Sequence, residues 1–149
     1  MSRSFFVQAA TLLITLVITG SAHAGWDVTA SSRVGFVSIK NNSIGENNVF
    51  EQVTGSISDA GHVAVSIDLT SVETGVDIRN ERLKRMLFEV AKFPTARVQA
   101  TLSASQLDAL KTAGSVGETV KVTVSLHGMS VDKLAALSVG VSEDGLRVT

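Results

Sequence analysis

The chain has 149 residues, with 13 basic and 14 acidic side chains and a net charge of −1. That balance gives no bulk attraction for nucleic acid or for an anionic membrane, and the length suits one ordinary domain. There is no cysteine, which excludes a disulfide framework and a thiolate metal site.

At the N-terminus Arg3 precedes an apolar run from Phe5 to Ile18, broken only by Gln8 and two threonines. Ala22-His23-Ala24 follows as an A-x-A cleavage signature. The run is shorter than the ~20 residues that span a bilayer. Residues 1–24 are therefore expected to be a secretory signal peptide cleaved after Ala24. A single domain, 25–149, would be exported to the periplasm with no stable membrane insertion afterwards.

Strand candidates come next at Trp26–Ala30, Val34–Lys40 and Val49–Ile57, and Asp59-Ala60-Gly61 makes a tight turn. Val63, Val65, Ile67 and Leu69 then alternate with polar positions. The spacing from Asn80 to Ala91 changes to that of a helix, with Leu83, Met86, Leu87, Val90 and Ala91 on one stripe. Asp77 or Asn80 could cap it, and Pro94 ends it. Alternation returns at Ala96, Val98, Ala100 and Leu102. A short helix over Ser105–Ala113 and punctuation at Gly114–Gly117 follow. Val120, Val122, Val124 and Leu126 alternate again, and Leu134–Val141 and Leu146–Thr149 are weaker strands around Asp144-Gly145. Period-two alternation marks antiparallel strands with one face in an apolar interior. About eight such strands, with one amphipathic helix near 79–91 between the fourth and fifth, close into a barrel or a two-sheet sandwich.

The inward rows fill a core or line a tunnel, and periodicity fits both. Arg79, Asn80, Arg82 and Arg85 either anchor a polar head group or form a solvated helix face paired with Glu81 or Glu89. His62 and His127 lie on different strands and do not share metal-ligand spacing, so no metal site is expected. Glu73 and Asp77 fit turn and helix-cap chemistry. No nucleophile motif, phosphate loop or dinucleotide fingerprint occurs. The expectation is a protein that is not an enzyme and uses no cofactor.

Several segments occur together in a familiar order: Ser71-Val72-Glu73-Thr74-Gly75, Ile78-Arg79-Asn80-Glu81-Arg82-Leu83, Leu87-Phe88-Glu89-Val90 and Phe93-Pro94. Upstream stand Phe36-Val37-Ser38-Ile39-Lys40 and Val53-Thr54-Gly55. This set resembles the YceI-like family of polyisoprenoid-binding, lipocalin-like proteins. The resemblance implies an all-β fold, an antiparallel lipocalin-like β-barrel around a long apolar tunnel. It also implies a periplasmic, non-catalytic protein that binds isoprenoid chains such as those of quinones or polyprenols. Asn80 stands where many relatives carry Asp. Relatives usually continue past the point matching Thr149 with closing strands, so the chain is read as a natural truncation, a fragment or an open barrel, and the resemblance leaves open whether the barrel closes completely. Its unpaired edge would make a homodimer possible.

On this resemblance the tunnel lining is Phe36, Val65, Ile67, Leu69, Val98, Ala100, Val122 and Val124, and the polar mouth is Arg79 and Asn80. A tail of about forty carbons at ~0.3 kcal/mol per atom would gain at most ~12 kcal/mol. The expected function is an exported carrier or sensor of a polyisoprenoid or other apolar lipid. The alternative is a structural or interaction protein of the cell envelope that uses the same scaffold for strand addition.

Overall fold

The computed structural model describes residues 25–40, 44–113, 115–142 and 145–148. The expected signal peptide, 1–24, lies outside them. Ten strands occur among these residues, all paired antiparallel. Seven of them form one sheet. They are β1 (Trp26–Asp27), β4 (Val53–Ile57), β5 (His62–Asp68), β7 (Thr95–Thr101), β8 (Ser115–Leu126), β9 (Met129–Ser142) and β10 (Gly145–Val148), in the order β1-β4-β5-β7-β8-β9-β10. The second sheet has the order β2-β3-β6, from β2 (Val34–Lys40), β3 (Ile44–Phe50) and β6 (Val72–Glu73). The fold is all-β and antiparallel, as the alternation requires. The two sheets do not close into a barrel among the described residues.

The expected strand Val49–Ile57 is instead two strands in different sheets. Phe50 and Val53 are both buried, yet they stand three apart. An unbroken strand would send them to opposite faces. The chain turns at Glu51 and Gln52, both exposed, and passes from the second sheet into the seven-stranded one. Backbone bonds from Glu51 N to Ser71 O (3.2 Å) and from Asp68 N to Gln52 O (2.9 Å) hold this corner. Ser71 Oγ accepts from Gln52 N at 3.0 Å.

Turn chemistry sets the other joins. Gly61 adopts φ 83° in the β4–β5 turn. His127 (φ 54°) and Gly128 (φ 75°) form a two-residue hairpin with both central residues left-handed, the geometry that suits strand twist. β9 therefore starts at Met129, ahead of the expected Leu134. Gly117, expected as punctuation, lies within β8 opposite Ser138.

α1 (Asp77–Arg82) runs directly into a π-helical turn, Leu83–Leu87, and joins β6 to β7. This corrects the expected helix in three respects. It starts and ends earlier than Asn80–Ala91. Its N-cap is Val76, which offers no side-chain cap, so neither Asp77 nor Asn80 serves. Met86 and Leu87 leave the buried stripe and are 71% and 58% exposed. The π-turn explains the last point. Phe88 N bonds Leu83 O, five residues back, so Phe88 takes the inward place that Leu87 would hold in α-geometry. α2 (Ala104–Ala113) packs Leu107 against Leu102 and Val120.

Candidate functional site

Residues directly opposite on antiparallel neighbours point to the same side. The register therefore lays out the inner face of the large sheet. Val53, Ile67 and Ala96 form one row. Gly55, Val65, Val98, Val124 and Val131 form the next. Ile57, Val63, Ala100, Val122 and Lys133 form a third. Gly55 is required by close approach, because a Cβ there would fall against the Ala64 carbonyl and Val65.

Burial changes along these rows. Ile67 and Ala96 belong to the main core cluster, with Phe50, Val53, Leu69, Val72 and Phe88. Val65, Val98 and Phe36 are half-buried against it. Ala100 packs against the second cluster, around Leu102, Leu107 and Val120. Val122 and Val124 continue the same face half-buried on β8. At the far end Val131 is 49% exposed. All eight residues expected to line a tunnel thus lie on the apolar interior side. That interior is packed near β4, β5 and β7 and opens to solvent along β8 and β9. Aromatic rings close the packed end. Phe36 and Phe50 have centroids 5.4 Å apart, and Phe88 meets Phe50 edge-on at 5.6 Å.

The two residues expected at a polar mouth are engaged locally. Arg79 grips Glu46 through two contacts, Nη1–Oε2 at 2.8 Å and Nη2–Oε1 at 3.2 Å. Asn80 is buried inside α1. Its Oδ1 accepts from Thr74 N (3.0 Å) and Thr74 Oγ1 (2.7 Å), and its Nδ2 donates to Glu73 Oε2 (3.1 Å). The Gly75 N–H, followed by the Asn80 amide, holds the Glu73 carboxyl below the usual glutamate value. Glu73 thus does turn chemistry, as expected.

Sequence reasoning missed Glu46 and Asn48. They share a face with Phe50 by alternation, and that spacing was the available signal. Asn48 is buried on this face and donates from Nδ2 to Ser38 Oγ (3.1 Å) and Glu46 O (3.0 Å). Its Oδ1 has no partner among the described residues.

Arg82 and Arg85 pair with neither Glu81 nor Glu89, contrary to the local pairing considered for them. Glu81 takes Lys84 at 3.4 Å. Glu89 takes Lys92 at 3.0 Å and His127 Nε2 at 2.6 Å. Lys92, and then His127, hold the Glu89 carboxyl below its ordinary range. The His127 ring also lies 4.4 Å from that of Phe93. His62 is exposed at the start of β5. Among the described residues no group of three His, Asp or Glu could hold a metal. Two surface clefts, of about 320 and 420 Å³, lie beside α1 and beside the β8–β9 hairpin, and neither is lined by any of the eight apolar residues.

The model of the YceI-like domain family matches residues 26–145, and the chain belongs to that family. Among solved structures it is similar to a polyisoprenoid binding domain from Saccharophagus degradans implicated in plant cell wall breakdown. That match has 34% identity and a TM-score of 0.61, and covers 80% of this chain and 65% of that one. BcnA of Burkholderia cenocepacia shares the fold at 17% identity and a TM-score of 0.54, over 76% of this chain and 67% of its own. The chain therefore spans 65% of the length of the Saccharophagus domain. No curated protein matches it. No helix among the described residues is long and apolar enough to cross a membrane.

Proposed function

We propose that this protein is an exported lipid binder that holds a polyisoprenoid or similar long apolar chain against the inner face of its large sheet, as carrier or sensor. It does not transform that chain. One observation carries the reading: Val65, Val98, Val124 and Val131 lie side by side and pass from the packed core to the solvent-exposed end. An isoprenoid tail has almost no hydrogen-bonding groups, so it binds by burying apolar surface, at about 25 cal/mol per Å². Small valines and alanines offer that surface, and it opens to solvent along β8 and β9. The family and the similarity to a polyisoprenoid binding domain support the same ligand class. A polar head group would reach Arg79 only by displacing Glu46, and Asn80 would act by holding the turn at Thr74. Residues 1–24 would direct export to the periplasm, and N-terminal sequencing of the exported protein should begin at Gly25.

The test is organic extraction of the purified protein followed by mass spectrometry, together with titration of a fluorescent prenol. A co-purifying isoprenoid is expected. Val124→Asp should weaken prenol binding by about tenfold or more, because the tail would then cover a carboxylate. Folded protein with no extractable lipid and no prenol affinity would favour the envelope-scaffold alternative.

A further inference from the structure

A soluble helix normally turns its large apolar side chains toward the core. The segment formed by α1 and the π-turn does the reverse at several positions. Ile78 is 62% exposed, and Met86 and Leu87 lie outside the core because the π-turn gives the inward place to Phe88. Val76, at the N-cap, is exposed as well.

The charges on the same segment are unevenly neutralised. Residues 77–87 carry four basic side chains and two acidic ones. Arg79 is neutralised by Glu46, and Lys84 by Glu81. Arg82 and Arg85 are exposed and have no carboxylate partner among the described residues. Asp77, at the opposite end from Arg85, is the one acidic side chain of the segment without a partner among the described residues. The C-terminal half of the segment is therefore basic and apolar together, on a chain whose overall charge is −1.

We infer that this exposed face of α1 and the π-turn docks the protein onto an anionic lipid bilayer. A bilayer surface supplies both missing complements. Its phosphates meet guanidinium groups on long stems, and its acyl boundary accepts Met86, Leu87 and Ile78. Each arginine near an anionic surface contributes about fivefold to partitioning. The π-turn is what makes the face available, and such turns often mark functional positions. Phe88, on the opposite side of the segment, seals the aromatic end of the apolar interior. Docking would thus bring that end to the membrane from which an isoprenoid is drawn. In this respect the inference builds on the proposed function, although the docking itself can be tested separately.

The experiment is flotation of the full chain with vesicles of phosphatidylcholine alone or doped with phosphatidylglycerol, with prenol binding in solution measured in parallel. The expected result is binding that favours the anionic vesicles and falls with salt. R82Q/R85Q should weaken it about thirtyfold, and M86S/L87S should weaken it on both vesicle types. Both variants should keep the thermal stability and prenol affinity of the parent. If the parent does not float, or if both variants float as it does, the docking inference is overturned and the lipid-holding reading stands. Docking without any prenol affinity would overturn the holding reading alone.

Discussion

Asn80 ties together three groups: the Thr74 N–H, the Thr74 hydroxyl, which also reaches Val76 O at 3.4 Å, and one Glu73 carboxylate oxygen. Asn80→Ala should therefore cost about 2 kcal/mol, since it leaves part-buried polar groups of Thr74 and Glu73 short of a partner along with the bonds it removes. A urea midpoint shift at unchanged slope would report this. A change below about 0.5 kcal/mol, the usual range for surface substitutions, would show that water replaces the amide. The sequence singled out Asn80, but for a cap or a mouth. Its actual task depends on where the 73–75 turn falls in space, which spacing along the chain does not encode. Asn48 was harder to read, because alternation places it beside Phe50 while its polarity argues for solvent.

At the scale of elements, the strands with strict alternation were legible. β5 and β7 lie where their valines and alanines placed them, since one apolar face leaves a single register. The merged strand at Val49–Ile57 failed because a change of sheet is marked only by the odd separation of Phe50 and Val53. The helix stripe failed because it assumed an α-helical period. Phe88 reaches Phe50 only if one residue is accommodated as a π-turn, and that gain is tertiary. The β8–β9 hairpin shows a tighter dependence on residue type. Gly128 has φ 75°, and a Cβ there would stand 3.1 Å from Phe93 Cε1. Gly128→Ala should lower stability by about 1–2 kcal/mol, visible as a reduced thermal midpoint. Phe93→Leu in the same background would not restore it, because the left-handed backbone remains.

At the scale of the molecule, three carboxylates among the described residues link ionisation to folding. Glu73 and Glu89 are held below the ordinary 4.5, and Asp132 below 3.8. Lys121, followed by Thr123, lowers Asp132 on the outer side of the β8–β9 pair. A group depressed on folding stabilises above its unfolded value, and the benefit is lost as pH falls through its folded value. The thermal midpoint should therefore be flat near neutrality and decline below about pH 4.5. Glu89→Gln should make that decline shallower. An unchanged acid profile in Glu89→Gln would show that the Lys92 and His127 contacts of Glu89 are not linked to folding. The open side of the interior was not legible from alternation, since a period of two says which way a side chain points and not whether another sheet arrives to meet it.

The corner at Glu51 and Gln52 has a consequence for how the molecule comes apart. Ser71 bonds both residues there, Arg33 Nη1 adds a bond to Glu51 O at 3.1 Å, and Phe50 of one sheet shares a cluster with Ile67 of the other. Neither sheet can peel away without breaking the stitch that anchors its neighbour. Loss of structure should be cooperative, with amides of both sheets becoming exchangeable together.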